Sequence, residues 1–253
     1  MLAAFVDDFS PVALEPRDAV VRVFFATPAD RDEAQRALAR DFIAAPVDVP
    51  DDDWARRSQE DLLPVTVGRI VITSSRQSPS PQSPSLLSIV IQPSMGFGTG
   101  HHATTRLCLA APQAVDLEGQ DVLDVGTGSG VLAIAAARLG AARAIGIDSD
   151  ADAIRAAREN LALNGEARNV CFEVIDLNAA PLPAADVVTA NLTGALLVRS
   201  ASILLDALRP GGTLILSGIL AGERNDVAAA FQSASGVWER AEDEWVGFAV
   251  KKS

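Results

Sequence analysis

The stretch Asp121–Gly130, read as Asp-Val-Leu-Asp-Val-Gly-Thr-Gly-Ser-Gly, concentrates residue types able to hold a polar ligand. Apolar Val122, Leu123 and Val125 read as a buried strand, Gly126, Gly128 and Gly130 as a tight turn, and Val131–Leu139 as a helix. Glycine has no Cβ, so such a turn can take positive φ and let a ligand approach the main chain, with the first helical N–H groups pointing at it. A tight strand-to-helix connection without a ligand would also favour glycine. Arg143–Asp148 then reads as a second strand ending in a carboxylate, about 20 residues past the glycines, where one acid accepts two vicinal ribose hydroxyls. The rival role for Asp148, capping the next helix, is better filled by Ser149 or Asp150.

The glycine spacing separates ligand classes. It is G-x-G-x-G, and Val131 stands where the dinucleotide pattern G-x-G-x-x-G has its third glycine, so the pyrophosphate fingerprint is incomplete. Asp124, just before the turn, suits an ammonium or sulfonium better than phosphates. Together these residues resemble the first two motifs of the class I S-adenosylmethionine-dependent methyltransferases. That resemblance implies that the glycine loop holds the methionine moiety and Asp148 the ribose. It also implies that Asp176, at the end of the strand Val170–Ile175, lies near the adenine.

A second informative stretch is Met95-Gly-Phe-Gly-Thr-Gly-His-His-Ala-Thr-Thr105, which holds both histidines and leads into an apolar helix, Thr105–Ala111. Taken alone, His101 and His102 also read as polar residues at a helix N-terminus. The stretch Gly96–Thr105 is similar to the F-G-T-G-T-H-x-T-T signature of the bacterial methyltransferase family that modifies protein eleven of the large ribosomal subunit. Asp53-Trp54 with Leu63-Pro-Val-Thr-Val-Gly-Arg69 resembles the segment before that family's catalytic domain, and Ala190-Asn191-Leu192 resembles its A-N-I/L motif. Carried over residue by residue, the cofactor contacts fall on Phe97, Gly98, Thr99 and Thr104, on Asp124, Gly126, Gly128 and Gly130, and on Asp148 and Asn191. The chain departs from the pattern at His101 (usually Thr) and Ala103 (commonly Pro), and its N-terminal lobe is shorter than the family's substrate-recruiting domain.

These residues need a scaffold, and the pattern supplies one. Residues 1–52 read as a small α+β lobe, a candidate for substrate recruitment, with strand Val20–Phe25, helix Pro28–Arg40 and a weaker strand Phe42–Val47. Residues 53–105 read as connector and β-hairpin, with runs Leu63–Thr73 and Leu86–Pro93 joined by a Ser/Pro/Gln/Arg-only loop, Ser74–Ser85, that cannot bury apolar surface. Residues 106–253 read as the methyltransferase domain. Its later elements are strand Ala185–Ala190, helix Gly194–Ala207, strand Gly211–Ser217, helix Glu223–Phe231 and an antiparallel pair, Gly236–Ala241 with Glu244–Lys251. Strands alternating with helices make this an α/β fold with a mostly parallel, Rossmann-like sheet covered on both faces. Ligand-binding turns then gather at the carboxyl ends of the strands, where Asp148, Asp176 and Asn191 all lie.

Composition narrows the classes. A chain of 253 residues can bury a full core, and its net charge of −12 argues against a stand-alone nucleic-acid binder and favours a basic partner. No charged leader with an apolar run and no apolar stretch of membrane-spanning length is seen, so the expectation is a cytoplasmic protein. Cys108 and Cys171 lie in periodic apolar segments without metal-ligand spacing and read as buried thiols.

The chemistry implied is in-line displacement at a sulfonium methyl by a neutral nucleophile. The leaving group is a neutral thioether, which needs neither a metal nor an oxyanion hole, so alignment and exclusion of water dominate. A lysine amine, with a pKa of about 10.4, must first shed its proton. Asn191 is the residue assigned to orient the attacking amine, with the role of helix N-cap, which Thr193 could fill instead, as its rival; His101 and His102 are candidate proton acceptors. The reading is an S-adenosylmethionine-dependent N-methyltransferase acting on lysine or amino groups of a basic protein, a ribosomal protein by resemblance. The alternatives are a small-molecule methyltransferase and a nicotinamide-dependent oxidoreductase or nucleotide-binding module.

Overall fold

The computed structural model describes residues 13–17, 20–24, 28–38, 42, 44–47, 63–74, 85–92, 102–165, 169–177 and 181–252. The chain divides into two compact units, Met1–Trp54 and Ala55–Ser253. In the first, β1 (Ala13–Arg17) pairs antiparallel with β2 (Val20–Phe24), and α1 (Pro28–Leu38) follows, with Ala34 and Leu38 buried. Two expectations change here. A strand at Ala13–Arg17 precedes the one read at Val20, hidden in the sequence by Pro16, which a two-stranded ribbon tolerates. Residues 44–47 form no strand; they are exposed, and Pro46 lacks the N–H a ladder needs.

The second unit opens with a small sheet. β3 (Val65–Val67) and β4 (Ile70–Thr73) are antiparallel, and β5 (Leu87–Val90) lies parallel to β4. This corrects the single long hairpin read from the two apolar runs. The turn sits inside the first run, at Gly68, whose φ of +55° is open to glycine, and the stretch between Thr73 and Leu87 is long enough for the crossover a parallel pair requires. The loop read at Ser74–Ser85 lies, from residue 75 to 84, outside the described residues.

The main sheet contains β6 (Asp121–Val125), β7 (Arg143–Asp148), β8 (Val170–Val174), β9 (Ala185–Asn191), β10 (Leu208–Leu220), β11 (Ser235–Glu242) and β12 (Trp245–Lys251). Their order is β11-β12-β10-β9-β6-β7-β8, parallel from β10 to β8, with β12 antiparallel to both β10 and β11. Alternate side chains feed two cores: Val122, Val187, Ile215 and Ala249 on one face, Leu123, Val188, Leu214 and Val250 on the other. The first face is covered by α2 (Ala103–Ala110), α3 (Val131–Arg138) and α4 (Ala151–Leu163), together with Ile70, Ile72, Ile89 and Ile91 of the small sheet. The second is covered by α5 (Gly194–Arg199), α6 (Ala201–Ala207) and α7 (Arg224–Ala230). Burial on both faces is why the central strands carry adjacent apolar residues, as in Val122-Leu123, Val187-Val188 and Leu214-Ile215-Leu216.

One helix was expected over Gly194–Ala207; there are two. Ser200, fully buried, leaves helical geometry at φ −100° and ψ 8° and divides them, and serine is a weak helix former in an interior. At the amino ends of the strands Arg209 binds Asp186 and Asp121 at 2.7 Å each, while the Asp121 N–H donates to Asp186 at 2.9 Å. That N–H, with the guanidinium, holds the Asp186 carboxyl below the usual carboxylate range. The clip joins the starts of β6, β9 and β10 and leaves their carboxyl ends for the site.

Candidate active site

The strand order reverses beside β6: β7 and β8 extend to one side, β9 and β10 to the other. A crevice at the carboxyl ends forms at such a switch point. Gly126, Gly128 and Gly130 cross it at φ +70°, +51° and +82°, a left-handed path that L side chains rarely take. The turn is also crowded. A Cβ on Gly126 would lie 2.5 Å from Leu192 Cδ2, and one on Gly130 2.7 Å from Phe172 Cζ and 3.0 Å from Ala157 Cβ. Gly126 and Thr127 N–H groups both donate to Ile147 O at 2.9 Å, folding the loop back over β7.

Asp148 ends β7 half-buried. Its Oδ2 accepts from the Gly128 N–H at 3.0 Å and its Oδ1 from the Asp150 N–H at 3.0 Å. The cap of α4 is Asp150, which accepts from Asp152 N–H at 2.8 Å, so Asp148 has no capping duty. Asp124 is placed differently from its neighbours. It is fully buried beneath the loop, where its two oxygens accept from the Thr127 and Thr189 hydroxyls at 2.6 Å each and the Ala133 N–H adds a third bond. Burial pushes its carboxyl up to about 6, the hydrogen bonds hold it down against that, and Asp148 nearby adds a smaller upward push.

Asn191 ends β9, opposite Ser217 on β10, and its Nδ2 donates to Thr104 Oγ1 at 3.3 Å. The next helix, α5, is capped by the backbone of Thr193, so Asn191 is free of the capping role that competed for it. His102 caps α2: its Nδ1 accepts from Thr104 N–H at 3.4 Å and lies 2.8 Å from Thr104 Oγ1. The polar-cap reading of His102 therefore holds, and the nitrogen facing Thr104 is occupied rather than a free base. Asp176 follows β8 and is exposed, beyond β7 from the glycine turn. Phe97, Gly98, Thr99 and His101 lie outside the described residues.

The structure thus joins Asp124, the glycine turn and Asp148 by hydrogen bonds, and sets the Asn191-Leu192 turn against Gly126. Several contributors were not singled out from sequence. Thr189 was detectable as the polar residue inside Val-Val-Thr-Ala-Asn191. Asn160 on α4 and Asn164, the C-cap of that helix, are buried; Asn160 Nδ2 donates to Ser129 O at 2.9 Å and its Oδ1 accepts from Gln92 N–H at 2.9 Å. Asn164 accepts from Val90 N–H at 2.8 Å and donates to Val90 O at 2.7 Å, acting as a strand partner for β5. Cys108 and Cys171 are free; Cys108 is buried, and burial pushes its thiol well above the ordinary range.

A Rossmann-like sheet with an antiparallel C-terminal pair, a G-x-G-x-G turn after its first strand and an acid ending the second defines an S-adenosylmethionine-dependent methyltransferase. The model of the family described as ribosomal protein L11 methyltransferase (PrmA) matches residues 16–253. A ribosomal protein L11 methyltransferase of Geobacter metallireducens is 41% identical over 228 residues, covering 84% of this chain and 74% of that one. One of Azotobacter vinelandii is 43% identical over 190 residues, covering 74% and 63%. The crystal structure of a ribosomal protein L11 methylase from Lactobacillus delbrueckii subsp. bulgaricus superposes with a TM-score of 0.68 at 28% identity, covering 75% of this chain and 98% of that one. The chain belongs to the ribosomal protein L11 methyltransferase family, and the nicotinamide and nucleotide-binding alternatives fall with that assignment.

Proposed function

We propose that this enzyme transfers methyl groups to lysine or amino groups of ribosomal protein L11 in the cytoplasm, using the crevice at the carboxyl ends of β6, β7 and β9. S-adenosylmethionine supplies the electrophilic methyl carbon. The residues present fit such a ligand: the glycines leave the loop surface without Cβ atoms, and Asp148 offers a half-buried carboxylate to ribose hydroxyls. Asp124 and Asp148 place negative charge near the glycine loop, which favours a sulfonium over a phosphate. In this reading Gly126, Gly128 and Gly130 hold the cofactor's methionine moiety, and Phe97, Gly98 and Thr99 are assigned to its binding by their motif. Asp176 lies toward the adenine, and Asp124 acts through the loop it supports.

The observation that carries the reading is Asn191 at the end of β9, free of capping, with its Nδ2 taken by Thr104. Its Oδ1 is then the atom that accepts an N–H of the acceptor amine and aligns the lone pair with the methyl carbon. Excess acid, a net charge of −12, supports a basic protein partner, and the lobe of residues 1–52 is the element proposed to recruit it. The test is transfer of labelled methyl from S-adenosylmethionine to ribosomal proteins and to whole soluble extract, resolved by size. Label on a small large-subunit protein supports the reading. Label on another protein changes the target, and label only in small molecules returns the small-molecule alternative.

A further inference from the structure

The donors and acceptors around Thr104 form a directed chain. Asn191 Nδ2 has only hydrogens to give, so at 3.3 Å Thr104 Oγ1 accepts from it. The Thr104 hydroxyl proton is then available for His102 Nδ1, 2.8 Å away. The Thr104 backbone N–H can only donate, and at 3.4 Å it makes Nδ1 the accepting nitrogen of the ring, so the hydroxyl meets it as a donor. The His102 ring is held in turn by Trp245, edge-on with centroids 5.0 Å apart, at the start of β12. Arg106, one turn further along α2, binds Glu242 of β11 at 2.6 Å. The first turn of α2 is therefore fastened to the C-terminal hairpin on one side and to Asn191 on the other.

An asparagine amide can rotate by half a turn and exchange its oxygen for its nitrogen at almost no steric cost, so its neighbours decide which atom faces a ligand. If Nδ2 faced the crevice, it would present hydrogens to the N–H groups of an incoming amine. We propose that Thr104 is a positioning residue for methyl transfer: its hydroxyl, committed as donor to His102, accepts from Asn191 Nδ2 and so keeps Asn191 Oδ1 toward the acceptor. The inference rests on the assignment of Asn191 as the residue that orients the amine. It separates Thr104 from the cofactor contacts among which its motif places it. Thr104 is buried and nearly isosteric with valine, which allows the hydroxyl to be removed with little change of shape.

The test is a double-mutant cycle in the full chain, with kcat for methyl transfer to a ribosomal protein substrate and the Kd of S-adenosylhomocysteine as separate readouts. Thr104→Val should lower kcat about tenfold, the scale of one aligned hydrogen bond, with Kd held within about twofold. Thr104→Ser should restore kcat. In the Asn191→Ala background, Thr104→Val should cost nothing further. Losses that multiply in the double variant, or a Kd that weakens as much as kcat falls, overturn the inference while leaving Asn191 in place. An Asn191→Ala enzyme with undiminished turnover sinks the assignment of Asn191, and the inference with it. If Thr104→Val does not yield folded protein, Thr104→Ala completes the same cycle.

Discussion

The Gly128 N–H donates to Asp148 Oδ2 at 3.0 Å, so the glycine turn and the acid ending the next strand hold one another before any ligand arrives. A carboxylate free to rotate would have to be ordered on binding, and this one is already aimed. Asp148→Ala should therefore weaken S-adenosylhomocysteine binding by about 2 kcal/mol, the range for hydrogen bonds to a charged group, while the fold persists. Calorimetric titration of both proteins checks this; equal affinities would remove Asp148 from the ribose.

Gly130→Ala should be the most damaging of the turn substitutions. It combines φ +82° with a Cβ 2.7 Å from Phe172 Cζ and 3.0 Å from Ala157 Cβ, so strain adds to overpacking in a core, at a cost of about 2–4 kcal/mol. Gly119→Ala is the control, since φ is +72° but nothing lies within 4 Å, leaving the backbone term of about 1–2 kcal/mol. Denaturant midpoints should fall from the parent through Gly119→Ala to Gly130→Ala, and equal midpoints for the two variants would contradict the contact with Phe172.

Asp124 predicts a dependence of stability on pH with a definite sign. Its folded value, about 6, lies above the ordinary carboxylate value, so its contribution to stability is complete below the unfolded pKa and is lost as pH rises through about 6. Between pH 5 and pH 8 this loss amounts to about 1 kcal/mol. Asp124→Asn should remove it, so the variant should gain relative to the parent on going from pH 5 to pH 8. Identical pH profiles in thermal melts would contradict the buried, raised carboxyl.

Asn164→Ala should destabilise the enzyme by about 2–3 kcal/mol, because the Val90 N–H and C=O lose their partner together. Hydrogen exchange at Val90 should accelerate in the variant. Unchanged exchange would mean that Asn164 does not act as the strand partner of β5.

The legible parts of this fold were those written in local sequence. The turn after β6 needs positive φ at three positions and shows it as three glycines, and β6, β7 and β9, buried on both faces, show adjacent apolar residues such as Val122-Leu123, Ala144-Ile145 and Val187-Val188. The acid at Asp148 follows from its distance to that turn. What stayed hidden depends on partners far along the chain. Asn164 and Asn160 serve backbone groups 74 and 68 residues away, and nothing local distinguishes them from surface asparagines. The small sheet was misread for a related reason, since pairing direction is set by where the chain re-enters and Gly68 looked like a weak point within one strand. Asp124 sits in the motif that named the ligand class, yet its burial depends on hydroxyls from two separate elements.

Methyl transfer by this enzyme is tested most directly by the intact mass of purified ribosomal protein L11 after incubation with the enzyme and S-adenosylmethionine, run beside Asn191→Ala. With Asn191 aligning the amine, L11 should gain methyl groups that map to amino groups, require the cofactor, and appear at least tenfold more slowly in the variant, on the order of the loss of one aligned hydrogen bond, at nearly unchanged S-adenosylhomocysteine affinity. An unmodified L11 in the presence of an enzyme that binds the cofactor, or equal rates for both enzymes, would contradict that expectation.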